Sequence, residues 1–366
     1  MRRDTSDPLP QPAYCGRFPT RERMQPTRLR WANRNSLLMG LVLIGVVWFM
    51  DGESGLPPPQ PRLARGSGEP ETWITRFAFS TDGNTVTTLR SDGTVALRSP
   101  TEGWSFRPLL GYPGRATALS FAPGGQLLAI GGSRPEIILC DLQSNGAVLP
   151  LMMPIPDTIA LAFSPDGQTL AATSSQTNQI VLWDVAAKKL RTCLRGHSSP
   201  VRSLAFSPAG DSLASGGMKD QTIIVWDLAT RDQRLRLSTA AGPVLGLAYS
   251  PDGSSIVSAG SLDSSIRIWD SGGGRVIRRL TCPEATWNTM DIALYGQLLA
   301  TADSDCAVRL WNVETGELLA RLDGQTRWIV GVAFSPDGRT LAAIGSDNDV
   351  RLWEVNEALA SRWANN

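Results

Sequence analysis

The chain has 366 residues, 42% of them apolar, with 35 Gly, 25 Pro and a formal charge of +1. That length holds one large domain or two smaller ones, and the turn-rich composition suits an all-β protein better than a helical one. A single histidine rules out a multi-histidine metal site and leaves a Ser-His-Asp or Cys-His mechanism only if His197 is its base.

Residues 1–35 form a basic tail. The first 50 residues carry eight Arg against Asp4, Asp7 and Glu22, so the rest of the chain is net acidic. The folded part therefore lacks the general basic excess expected of a nucleic-acid binder, although a local basic patch stays open. The five cysteines (Cys15, Cys140, Cys193, Cys282, Cys306) are odd in number and widely spaced. They suggest neither a zinc site nor a disulfide framework and read as small thiols.

Residues 36–50, SLLMGLVLIGVVWFM, contain no charge and follow Arg28, Arg30 and Arg34. The run is shorter than the roughly 20 residues of a typical span, so a transmembrane helix and a signal-peptide helix both stay open. The long basic lead and the lack of a small-x-small cleavage site favour an uncleaved single-pass anchor. The positive side then faces the cytoplasm and the rest lies outside it. Secretion after cleavage, or a cytoplasmic domain, are the alternatives. Residues 51–68 are rich in Pro and Gly and read as a semi-rigid linker.

From residue 69 to 366 the chain repeats. An apolar run closes on Ser-Pro-Asp-Gly or a relative of it: FAFSTDG (77–83), LSFAPGG (119–125), LAFSPDG (161–167), LAFSPAG (204–210), LAYSPDG (247–253), MDIALYG (290–296) and VAFSPDG (332–338). The anchoring positions Phe79, Phe121, Phe163, Phe206, Tyr249, Ile292 and Phe334 are 42 or 43 residues apart throughout. Each unit ends on a β-branched stretch, with Trp183, Trp226, Trp269, Trp311 and Trp353 at the same place and Arg98 and Cys140 in the first two units. Four short strands and their turns fill such a unit. One unit cannot bury both faces of its sheet; a closed ring of units can. The expectation is a seven-bladed β-propeller of four-stranded blades, preceded by the N-terminal hydrophobic helix. The last blade needs a fourth strand, with 61–66 favoured over 358–364.

These repeats resemble the WD-repeat family. The resemblance implies a hydrogen-bonded tetrad of His, Ser or Thr, Asp and Trp within a blade, and only the fourth unit matches in full, with His197, Ser215, Asp220 and Trp226. Asp92, Asp263, Asp305 and Asp347 hold the matching turn position elsewhere, while Arg134 and Thr177 depart from it. The resemblance further implies a non-catalytic scaffold that binds a protein or peptide on the face carrying the inner-strand entries. The positions six and four residues before each anchor are expected to point out of that face. Trp73, Arg115, Arg202, Lys219 and Trp328 are the candidate contact residues, with Trp73 and Trp328 meeting where the ring closes. Metal, cofactor and nucleic-acid sites are not expected. Gly272-Gly273-Gly274 lacks the Lys-Ser/Thr of a phosphate loop. A cytoplasm-facing regulatory adaptor and a propeller enzyme remain as other readings of the same repeats.

Overall fold

The computed structural model describes residues 72–356, apart from 81–84, 99–106, 144–146, 153–155, 240–241, 261–264, 282–290, 303–304, 324–328 and 346–349. The proposed anchor, the linker and both candidates for the closing strand lie outside the described residues. Among those described, no helix is long and apolar enough to cross a membrane.

Seven antiparallel sheets follow one another along the chain. Six have four strands in sequence order, and the seventh has three described strands. The inner strands are Ile74–Phe79, Ala116–Phe121, Thr158–Phe163, Val201–Phe206, Val244–Tyr249, Asp291–Tyr295 and Ile329–Phe334. Each inner strand packs against those of the two adjacent blades, and the first packs against the seventh, so the ring is closed. The architecture is the all-β seven-bladed propeller that the spacing predicts.

The core lies between blades. Ile137, Leu139 and Leu151 of blade 2 pack with Leu170, Val181 and Trp183 of blade 3. Ile180, Leu182 and Leu194 of blade 3 pack in turn with Val201, Leu213 and Trp226 of blade 4. Each such side chain contributes about 1.5–3 kcal/mol by leaving water, which is why a blade is stable only beside its neighbours.

One local departure recurs. The register of the inner strand slips by one residue near its start, between Ile74 and Arg76, Ala116 and Ala118, Val201 and Ser203, Val244 and Gly246, and Ile329 and Gly331. The same slip in blade 3 falls between Thr158 and Ala160. A one-residue bulge re-aims the extra side chain. The extra residue is in each case the one four positions before the anchor.

Cys140 and Cys306 form no disulfide. Cys193 is disulfide-bonded, with its partner outside the described residues, which corrects the reading of unlinked thiols at that position.

Candidate functional site

In blade 4 the tetrad side chains meet in series. Trp226 Nε1 donates to Ser215 Oγ at 2.8 Å, and Ser215 Oγ lies 2.8 Å from His197 Nε2. His197 Nδ1 lies 2.8 Å from Asp220 Oδ2, which also accepts from the backbone N–H of Ser198. A neutral imidazole satisfies the whole chain. Its Nδ1–H donates to the carboxylate, its Nε2 accepts from the serine hydroxyl, and the serine oxygen accepts from the indole. Burial pushes the His197 pKa down, against the raising influence of Asp220. Burial works to raise Asp220, but its hydrogen bonds and the nearby imidazole hold it below the ordinary carboxylate value. Both ring nitrogens of His197 are thus committed inside the blade.

Other blades keep parts of this arrangement. Trp269 donates to Ser258 at 2.8 Å and Trp311 to Thr301 at 3.2 Å. In blade 2, Tyr112 occupies the histidine position, nine residues before the anchor, and donates its hydroxyl to the Glu136 carbonyl at 3.0 Å. It packs in one cluster with Cys140, whose small thiol stands in the tryptophan position. In blade 6 the buried Arg309 makes a two-pronged pair with the turn residue Asp305, at 3.1 and 2.6 Å. Arg134 donates to the Pro113 carbonyl at 2.6 Å, whereas the buried Thr177 hydroxyl has no hydrogen-bond partner among the described residues.

The proposed contact face is built from loop entries pinned by main-chain bonds. The carbonyls of Trp73, Arg115, Asp157 and Pro200 each accept from the N–H of Ser91, Ser133, Ser175 and Met218, at 2.8, 2.8, 2.9 and 2.9 Å. These four residues are equivalent, six positions before the anchor. Trp73 and Arg115 are half-buried and Lys219 is exposed, its backbone held by Ser199 Oγ at 2.9 Å. Trp328 lies outside the described residues.

Arg202 is placed differently. It is a bulge residue, only 9% exposed, and its guanidinium reaches the Ile159 carbonyl at 3.5 Å rather than standing on the face. With Arg76, Ile159 and Leu245 it lines a central cavity of about 200 Å³. The bulge is the reason. Simple alternation sends positions six and four before the anchor to the same side, and the inserted residue turns the second inward. Thr75, also a bulge residue, is buried and donates to the Leu89 carbonyl.

The WD domain, G-beta repeat family model matches residues 156–184, 188–227, 233–270, 274–312 and 316–354, just over half of the chain. The chain belongs to the WD40 repeat family. Among curated proteins it is similar to a periodic tryptophan protein 2 homolog of Dictyostelium discoideum, 29% identical over 34% of this chain and 14% of the relative. It is also similar to the WD repeat-containing protein VIP3 of Arabidopsis thaliana, 33% identical over 25% of this chain and 32% of the relative. A periodic tryptophan protein 2 homolog of Schizosaccharomyces pombe is 35% identical over 26% of this chain and 11% of its own length. The chain thus spans at most about a third of any of these relatives.

Proposed function

We propose that this chain is a non-catalytic interaction scaffold that captures a protein or peptide on the face formed by its inner-strand entries. Residues 36–50 anchor it in a membrane, with the propeller on the extracytoplasmic side. The observation that carries the capture reading is the repeated main-chain clamp at Trp73, Arg115, Asp157 and Pro200. It presents side chains from several blades on a rigid frame, so little ordering cost falls on binding. Trp and Arg in such a setting are typical binding hot spots. Support for a non-catalytic role comes from His197, whose imidazole is consumed within its blade.

A photo-crosslinking residue placed at Trp73 or Lys219 is expected to yield a partner adduct, and one at Leu318 on the outer strand of blade 6 to yield none. Adducts from Leu318 alone would contradict the choice of face. For the anchor, a C-terminal reporter active only outside the cytoplasm should be active, and activity only in the cytoplasmic form would reverse the topology.

A further inference from the structure

The rim of the propeller is unevenly charged. The outer strands of blades 3, 4 and 5 are Lys189–Leu194, Gln233–Ser238 and Val276–Leu280. With the turns leading into them and Arg195 just beyond, they hold Lys188, Lys189, Arg191, Arg195, Arg231, Arg234, Arg236, Arg275, Arg278 and Arg279, against Asp184, Asp227, Asp232 and Asp270. All these cations are exposed except Arg278, which is half-buried. Blade 6 reverses the sign at the same place, with Glu314, Glu317 and Asp323 against Arg321. Since residues 51–366 are net acidic, the cations are concentrated here rather than spread evenly.

Apolar side chains share the sector. Among the described residues eight large hydrophobics are exposed, and six lie on the outer strands of blades 2, 3 and 5: Val148, Leu149, Met152, Leu190, Val276 and Ile277. Met152 and Ile277 are 60% and 52% exposed.

The sector is continuous. Leu151 of the blade 2 outer strand clusters with Val185 and Cys193 of blade 3. Arg236 of blade 4 donates to the Gly196 carbonyl, which follows the blade 3 outer strand, at 3.0 Å. Gly274, in the blade 5 turn, lies against Leu235 and Leu237 of blade 4.

We infer that the rim of blades 2 to 5 docks on an anionic lipid surface. Cations interleaved with exposed aliphatic side chains suit the boundary between headgroups and acyl chains. A phosphate-backbone ligand would use the cations but has no use for Val276, Ile277 or Met152, and among the described residues the exposed hydrophobics of this sector include no aromatic ring for stacking. The inference rests on the proposed anchor for its proximity to lipid, since tethering raises the effective concentration of the second contact.

The test uses the full chain in nanodiscs of neutral phosphatidylcholine or of phosphatidylcholine with phosphatidylglycerol. Hydrogen exchange over 148–152, 189–194, 233–238 and 276–280 is expected to slow at least five-fold in the anionic discs only. Each cation near an anionic surface is worth about five-fold in binding, so Lys189→Gln, Arg234→Gln and Arg275→Gln together should erase the slowing. Val276→Ser with Ile277→Ser should weaken it without changing the melting temperature. Equal exchange in both kinds of disc overturns the inference, as does slowing by added poly-glutamate but not by anionic lipid, which would make the partner an acidic protein. A chain that fails to enter discs counts against the anchor alone. The same chain is then sedimented with anionic and neutral vesicles, where retention by the anionic ones that is lost in the Lys189→Gln, Arg234→Gln, Arg275→Gln variant supports the rim, and retention unchanged in that variant, or equal recovery from both kinds of vesicle, overturns it.

Discussion

His197 shows how a single residue is tied to both stability and pH. Its removal leaves Asp220 and Ser215 buried without their partner, so His197→Ala is expected to cost about 2–4 kcal/mol, read as a lowered urea midpoint with unchanged slope. The pH response follows from the direction of its shift. The folded pKa lies below the unfolded value of 6.5, so protons prefer the unfolded chain. Stability from this site is complete above pH 6.5 and declines as the pH falls below it, well before the carboxylates titrate. Urea titrations at pH 7.5 and 5.5 should show that decline in the native chain and lose it in His197→Gln. A flat profile in the native chain would mean an imidazole whose titration is unchanged by folding, and a rise in stability towards pH 5.5 would mean one charged in the folded state. The family pattern made this tetrad legible, because each member has a fixed place in the repeat. The substitutes were not legible that way. Tyr112, at the histidine position, and Cys140, at the tryptophan position, share one buried cluster, and that pairing shows only when the two are seen packed. Arg309 did leave a sequence trace: Asp and Arg are separated by three residues at Asp263 and Arg267, Asp305 and Arg309, and Asp347 and Arg351.

At the scale of the elements, the Ser-Pro-Asp-Gly turn repeats a small hydrogen-bonded knot. Ser164, Ser250 and Ser335 donate to Asp166, Asp252 and Asp337 at 2.5, 2.6 and 2.6 Å. The serine hydroxyl and the Ser254 N–H draw the Asp252 pKa down to about 2. Blade 4 has Ala209 in place of the aspartate, and Asp211, two residues later, takes the bond from Ser207 at 2.6 Å. The turn glycines have positive φ, +72° at Gly253 and +69° at Gly338. A methyl on Gly253 would meet Pro208 at an ordinary 3.5 Å, but one on Gly338 would run into the Tyr295 ring. Gly253→Ala should therefore cost about 1 kcal/mol, from backbone strain alone. Gly338→Ala should cost more, and Tyr295→Ala should remove the excess; equal midpoints for the two glycine variants would contradict the packing. The turns were plain in the sequence because their residue types are dictated by backbone angles. The inner-strand bulge was hidden, since no single residue type marks it: the position is held by Thr75, Thr117, Ile159, Arg202, Leu245 and Val330. That is why Arg202 was expected on the open face and lies instead in the central cavity.

For the whole molecule, equal spacing carried most of the information. Seven wedges close a ring only if they are alike in size, so an interval of 42 or 43 residues predicts closure even where the signature tryptophan is lost. Blades 1 and 2, with Arg98 and Cys140 at that place, still form four-stranded sheets in the observed order. The repeats fix what the propeller is built of but say little about its exterior, where side chains are free of packing. The charged and apolar sector of the rim emerges only when outer strands distant in sequence are set side by side. The role proposed for the propeller is capture of a partner on the face bearing Trp73. The most direct measurement is retention of partner by the full chain and by Trp73→Ala, each with its melting temperature. Loss of retention by ten-fold or more, with the melting temperature within about 2 °C of the native chain, is the predicted result. Undiminished retention, or a loss matched by a fall in melting temperature, would instead make Trp73 a part of the core and contradict the claim.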